Sequence, residues 1–354
     1  MNAPLQETFA GKRVLVTGHT GFKGSWLALW LRDLGAEVTG YALAPDYAGS
    51  HFELLGIERD IRHVVGDVRN LIHLKKVVDA TRPEIVFHLA AQALVRRSYD
   101  DPKTTFDTNV GGSVNLLEAV RLCDAVRALV FITSDKAYLN KEWSWGYREN
   151  DELGGHDPYS ASKAGAEMAF MAYRYSFLER RDGLGAAVTR AGNVIGGGDW
   201  AQDRIIPDCM RALRDGKPIR LRNPLATRPW QHVLDPLHGY LRLAQALLVD
   251  PKRYTGPWNF GPELDRGLTV REVAERAAAL WGGGKIVVET KASAPFEHRL
   301  LQLSIDKAKL DLGWRPKWPS DRAIAETVAW YRRVANGEAV RFVSTAQISM
   351  FMDA

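Results

Sequence analysis

The chain has 354 residues, of which 46% are hydrophobic and 25% charged, with a formal net charge of +5. That composition belongs to an ordinary folded protein and excludes a disordered or collagen-like chain. No run of five or six basic residues occurs, so nucleic acid is not implied, and a mild positive excess suits an anionic small substrate. Two cysteines, Cys123 and Cys209, and no CxxC pattern give neither a disulfide framework nor a zinc site. The first residues lack a basic segment followed by an apolar one, and no apolar run is long enough to span a bilayer. A cytoplasmic protein without a membrane partner is therefore expected.

In chain order, short apolar runs alternate with helical patterns. Arg13–Thr17 reads as a strand and Ser25–Leu34 as a helix. Glu37–Tyr41 and Ile61–Val65 read as strands, Leu71–Ala80 as a helix, and Glu84–Leu89 as a fourth strand. Thr105–Leu122 reads as one long helix, Arg127–Thr133 as a strand, Pro158–Phe177 as a helix and Gly185–Arg190 as a sixth strand. Strands alternating with helices imply right-handed crossovers and a doubly wound parallel sheet of the Rossmann type, an α/β fold. After Gly192 the pattern breaks into short elements and Pro-rich turns, with helices at Leu237–Leu248 and Val270–Leu280. The expected organisation is a dinucleotide-binding domain over 1–190, with a returning segment near 229–250. A smaller C-terminal α/β substrate lobe takes 191–228 and 251–354.

The first strand runs into Gly18-His19-Thr20-Gly21-Phe22-Lys23-Gly24 and then a helix. Such a strand–glycine loop–helix unit lets backbone approach a pyrophosphate, with the helix N-terminus facing its charge. Gly18, Thr20, Gly21, Phe22, Lys23 and Gly24 are the candidate cofactor contacts. Further along, Tyr159 and Lys163 stand four apart on a helix and share a face. The Lys163 charge is expected to favour the Tyr159 phenolate, making Tyr159 a base for a substrate alcohol. The fifth strand ends in Ser134-Asp135-Lys136, which adds a hydroxyl, an acid and an amine. A plain hydride-transfer enzyme needs only Ser134, Tyr159 and Lys163, so Asp135 and Lys136 point to a leaving group and a second proton.

The GxxGxxG spacing with these residues resembles the extended, nucleotide-sugar branch of the short-chain dehydrogenase/reductase superfamily, over nearly the whole chain. The resemblance implies NAD as cofactor. Asp67 and Val68 then lie by the adenine, Leu89, Ala90 and Ala91 line the cofactor, and Asn109 supports the scaffold. The acid usual at the end of the second strand is missing from Val38-Thr39-Gly40-Tyr41-Ala42-Leu43, and no Arg replaces it. NAD is thus expected over NADP, with its adenosine end held differently.

Thr133-Ser134-Asp135-Lys136-Ala137-Tyr138 resembles the 4,6-dehydratases of this branch, in particular those acting on CDP-glucose. That implies C4 oxidation, water loss across C5–C6 with Asp135 as acid, and hydride return to C6. Lys136 is read either as the carrier of the C5 proton or as a partner that pairs with Asp135 and stabilises the enolate. Asn193, Arg204 and Arg228 are the implied substrate contacts, the arginines for the diphosphate. Glu297 and His298 lie in a segment read as closing over the nucleotide. No metal is expected, since His232 and His238 lack partners at ligand spacing. A homodimer or dimer of dimers is implied. The alternatives are dehydration of a dTDP- or GDP-linked sugar, 4-epimerisation, which Asp135-Lys136 disfavours, and a non-catalytic NAD-binding regulator.

Overall fold

In the computed structural model, which describes residues 4–263, 267–289 and 300–354, seven parallel strands form one sheet. Glu297 and His298 lie outside the described residues. The first six strands are β1 (Arg13–Thr17), β2 (Glu37–Ala42), β3 (Arg62–Val65), β4 (Ile85–His88), β5 (Ala128–Ile132) and β6 (Gly185–Ala191). Gly256–Phe260 is the seventh, and the order across the sheet is Gly256–Phe260, β6, β5, β4, β1, β2, β3. Every residue of β4, β5 and β6 is buried, as in strands covered on both faces. β1 shows the two-residue period directly. Val14 and Val16 pack with Trp26, Trp30 and Leu237 on one face, whereas Leu15 packs with Leu116, Leu117 and Phe131 on the other.

The chain builds outward from β1 in one direction through β2 and β3, then crosses to β4 and builds the other way. The switch point lies between the carboxyl ends of β1 and β4, where doubly wound sheets open a binding crevice. Gly18 follows β1 there with φ +76°, and a Cβ on it would come within 2.7 Å of the Ala90 nitrogen.

Two elements depart from the sequence reading. The expected helix over Thr105–Leu122 is interrupted: Pro102–Phe106 and Gly112–Leu122 are α-helical, but Asp107–Gly111 forms a wide π turn. Such bulges concentrate at functional sites, and this one carries Asn109. The seventh strand lies inside the range assigned to the substrate lobe, because Pro257 and the following Gly261-Pro262 read as turn residues. On an edge strand, a proline costs no ladder bond that the sheet needs. Asn259 also locks this strand in place, accepting from the Tyr138 hydroxyl at 2.9 Å and donating to the Tyr147 carbonyl at 2.9 Å.

The helix Leu234–Val249 packs against β5 and β6. Around it sit the helices Ile205–Arg214 and Val270–Trp281 and three short strand pairs. Of two C-terminal helices, Ser320–Ala335 covers the Gly196–Gly198 turn and Val340–Met352 packs beside it. Gly197 must be glycine there, since a Cβ would stand 2.0 Å from the Trp330 ring.

Candidate active site

The glycine loop closes on itself. The Gly21 amide donates to the Gly18 carbonyl at 3.1 Å, and a Cβ on Gly24 would stand only 2.1 Å from that same oxygen. Gly21 is the N-cap of the helix Phe22–Asp33 and caps it with no side chain, so the first-turn amides face the crevice. This cradle fits a dinucleotide pyrophosphate. Leu89, Ala90 and Ala91 lie opposite, held by the Leu89 and Ala90 amides donating to the Thr17 carbonyl and hydroxyl at 3.1 and 3.3 Å.

Within β2, two residues before its acid-free end, Gly40 makes room for a ring. A Cβ on Gly40 would lie 2.3 Å from the His19 ring, which comes up from the glycine loop and shares a 2.7 Å hydrogen bond with His63. Burial, with help from the His63 charge, lowers the His19 pKa to about 3, so the ring is neutral. Asp67 follows β3 and is held by Arg69 at 2.6 Å; the hydrogen bond from Arg69 lowers its pKa. Val68 is buried against Gly112.

On the other side of the crevice, β5 delivers Ser134, Asp135 and Lys136 in a single tight turn. The Ser134 hydroxyl donates to Asp135 at 2.8 Å and accepts from the Lys136 amide at 3.3 Å. Asp135 is buried, and its Oδ2 leaves 3.2 Å to the position of a Cβ on Gly192. Lys136 is half-buried. Tyr159 and Lys163 come from the helix Pro158–Ser176, capped by Asp157, with the Lys163 ammonium 5.8 Å from the Tyr159 ring centre. The Ser134 hydroxyl lies beside the Tyr159 phenol. The turn after β5 and the helix thus bring Ser134, Asp135, Tyr159 and Lys163 together, with Lys136 following in the same turn.

The expected phenolate is not favoured by these residues alone. Burial pushes the Tyr159 phenol up to about 12, and the neighbouring Ser134 hydroxyl offsets only part of this. Burial also lowers Lys163 to about 8. Desolvation outweighs the Tyr159–Lys163 pairing because both groups lose water before either gains a close ionic partner.

Two supports hold the site: Asn109, which the resemblance implied, and a buried ion pair that escaped the sequence reading. Asn109, in the π turn, receives the Gln92 amide at 2.8 Å and donates to Ser162 at 2.8 Å; Ser162 in turn donates to the Tyr159 carbonyl. Beneath the site, Glu167 accepts from Arg190 at 2.5 Å and from Thr133 at 2.6 Å, the pair being almost wholly buried. Arg190 also bonds the Tyr138 hydroxyl. This network ties the end of β5 to β6 and to the Tyr159 helix. Its one local signal is a glutamate one turn beyond Lys163 on the buried face.

Among the predicted substrate contacts, Asn193 follows β6 and its carbonyl accepts from Gln231. Arg204 is held by Asp199 at 2.9 Å, and its charge reaches Tyr159, so it stands at the catalytic centre. Arg228 lies in the short strand Thr227–Arg228 and donates to the Thr227 carbonyl. The structure also places the side chain of Lys23, a candidate cofactor contact, toward the same centre, where it donates to Tyr240 at 2.8 Å.

A glycine cradle at the switch point, facing a Ser–Tyr–Lys set, defines a dinucleotide-dependent enzyme of the short-chain dehydrogenase/reductase class. The sequence model of the GDP-mannose 4,6 dehydratase family matches residues 15–327, and the chain belongs to that family. It is 45% identical to a CDP-glucose 4,6-dehydratase of Salmonella typhimurium over 348 residues, 97% of each chain. It is 32% identical to a dTDP-glucose 4,6-dehydratase of Streptomyces antibioticus, over 90% of this chain and 92% of that one. Among solved structures, the dTDP-glucose 4,6-dehydratase DesIV of Streptomyces venezuelae, with NAD bound, superposes with a TM-score of 0.75 at 26% identity. The match covers 91% of this chain and 97% of that one.

Proposed function

We propose that the chain is an NAD-dependent CDP-glucose 4,6-dehydratase, producing CDP-4-keto-6-deoxyglucose and water. The observation that carries this reading is the buried Asp135 carboxyl, hydrogen-bonded to Ser134, at the same centre as Tyr159. An oxidation alone leaves that acid without a task. The 45% identity to a CDP-glucose enzyme, against 32% to a dTDP-glucose enzyme, supports cytidine as the base.

NAD, held by Gly18, Gly21, Gly24 and the first-turn amides, supplies the hydride acceptor for C4 and later the donor for C6. Tyr159 takes the C4 hydroxyl proton while Ser134 orients that hydroxyl. Lys163, beside Tyr159, stabilises the phenolate. The new C4 ketone acidifies C5, and Lys136 accepts the C5 proton as electrons move into the carbonyl. The C6–oxygen bond then breaks, and Asp135 in its protonated form gives its proton to the departing hydroxyl, releasing water. Lys136 returns a proton to C5 at the end, and on product release Tyr159 gives up the proton it took while Asp135 is reprotonated. Arg204 and Arg228 meet the diphosphate, and Asn193 meets the sugar.

The exposed Met168 and Tyr175 on the Pro158–Ser176 helix, with exposed Phe106 on the helix Pro102–Phe106 packed beside it, support a homodimer through these helices. Light scattering on the purified protein tests that. Both cysteines are free and buried, in keeping with a cytoplasmic setting. Among the described residues, no helix is long and apolar enough to cross a membrane.

The test is product mass spectrometry with NAD and, separately, CDP-glucose, dTDP-glucose and GDP-mannose. Loss of one water from CDP-glucose, without net NADH, is expected. Loss from another of the three overturns the base assignment, and loss from none overturns the dehydratase reading.

A further inference from the structure

His88 ends β4 at the switch point, buried beside Thr17 of β1, with the Phe131 ring of β5 5.0 Å from its own. Its Nδ1 lies 2.7 Å from the Thr17 hydroxyl and its Nε2 3.3 Å from the Ser113 hydroxyl. Thr17 also receives the Ala90 amide at 3.3 Å, so one end of this chain is the wall facing the glycine loop. Ser113 donates to the Asn109 carbonyl at 2.6 Å, so the other end is the π turn. From there Asn109 donates to Ser162, and Ser162 to the Tyr159 carbonyl. Thr17, His88, Ser113, Asn109 and Ser162 are all buried, so no water stands in for a broken link.

The polarity of the chain follows from its ends. A carbonyl only accepts, so the Ser113 proton goes to Asn109 and the Ser113 oxygen is left to accept from His88. Nε2 therefore carries the ring proton. At the other end an amide only donates, so the Thr17 oxygen accepts from Ala90 and its proton goes to the bare Nδ1. The opposite tautomer would set two lone pairs, those of Nε2 and the Ser113 oxygen, against each other. Burial, and after it the Lys163 charge, lowers the His88 pKa to about 3, so the ring stays neutral.

Hydride transfer needs two parts of the protein in register: the wall along which the dinucleotide lies and the helix that carries Tyr159. We propose that His88 is a positioning residue for this step. As the Nε2–H tautomer it ties the wall at Ala90 to the π turn at Asn109, and so holds the dinucleotide in register with Tyr159. This rests on the NAD-dependent dehydratase reading above. A misplacement of about 1 Å between reacting partners costs on the order of 10²-fold in rate, so a support outside contact with the sugar can govern turnover.

The experiment compares His88→Phe, which keeps the ring's bulk and loses both bonds, with His88→Gln, whose amide N–H can stand where Nε2–H stood. Both are assayed on the whole protein with NAD and CDP-glucose, plain and deuterated at C4. His88→Phe is expected to lower kcat by about 10- to 100-fold with KM for the sugar within about threefold. His88→Gln is expected to turn over about tenfold faster than His88→Phe, the worth of one buried hydrogen bond. Deuterium is expected to slow His88→Phe more than it slows the native chain, because hydride transfer has become the harder step. A merely structural role would lower the active fraction, leave the isotope effect unchanged and favour Phe over Gln; either of the last two results overturns the proposal. So does a His88→Phe rate within about twofold of native. Should His88→Phe fail to fold, Ser113→Ala, which removes only the acceptor of Nε2–H, takes its place with the same expected rise in isotope effect. Nitrogen-15 NMR of the histidine-labelled native chain, with the His88 signals assigned by their loss in His88→Gln, is expected to show Nε2 protonated. Protonation at Nδ1 overturns the proposal. A native chain that turns over no nucleotide sugar defeats the dehydratase reading instead, and the tautomer still tests the chain of bonds.

Discussion

The two sides of the crevice are shaped by different forces. On the β1–β2–β3 side, backbone meets backbone: Gly18 against Ala90, Gly24 against the Gly18 carbonyl, Gly40 under the His19 ring. The buried histidines there and at the neighbouring end of β4 are neutral, with His19, His51 and His88 all lowered to about 3, chiefly by burial. On the β5–β6 side, buried charge does the shaping: Glu167 with Arg190, Asp135 with Ser134, and Lys163 beside Tyr159. The difference follows from the tasks. A pyrophosphate needs close approach and free amides, which side chains would block. Moving protons needs ionisable groups held out of water, where their pKa values can be displaced.

The sharpest break of the catalytic side is Tyr159→Phe. Turnover should fall by about 10³-fold, with dinucleotide affinity unchanged within a few-fold. A variant that keeps a tenth of the native rate would remove Tyr159 from proton transfer. Next is Arg190→Met, which strands the buried Glu167 charge and should cost about 3–5 kcal/mol in urea unfolding. Adding Glu167→Gln should restore part of that loss. A single-variant cost under about 1 kcal/mol would deny the network its supporting role. On the cofactor side, Gly24→Ala forces the loop apart. It should weaken NAD by about tenfold or more, an overpacking cost of about 1–3 kcal/mol, while the fold persists. Unchanged NAD affinity would show that the loop yields freely.

The smallest effects lie in pH. The buried histidines have folded pKa values below their unfolded value of 6.5. Their contribution is therefore present above pH 6.5 and lost as pH falls toward 3. Asp235 behaves oppositely. Burial raises it from 3.8 to about 7, so its contribution is full below pH 4 and lost as pH rises through 7. Asp235→Asn retains the acceptor for the Lys317 amide. It should stabilise the protein at pH 8 by about 2 kcal/mol and leave pH 4 almost unchanged, read by thermal melts at both pH values. Equal shifts at both would assign the effect to packing.

The same contrast explains what the sequence revealed. The glycine loop, the Tyr159–Lys163 pair and the Ser134-Asp135-Lys136 turn are local patterns, and each stood where its strand or helix put it. The six predicted strands followed from apolar runs that a doubly covered sheet requires. Glu167 and Arg190 were invisible because their meaning lies in pairing across 23 residues. The π turn at Asn109 was invisible because two distant partners, Gln92 and Ser162, pull it out of helical register. The seventh strand was hidden by Pro257, which only its edge position makes tolerable. The Tyr159 phenol is raised rather than lowered because the cost of burying it outweighs what its neighbours return, and burial is not written in a four-residue spacing.

The most direct test of the account uses CDP-glucose carrying deuterium at C4, turned over in ordinary water with catalytic NAD. The account predicts that the deuterium reappears at C6 of the same sugar, that one water is lost, and that C5 takes its hydrogen from solvent. Deuterium retained at C4 with no loss of water, or deuterium released into free NADH, would contradict it.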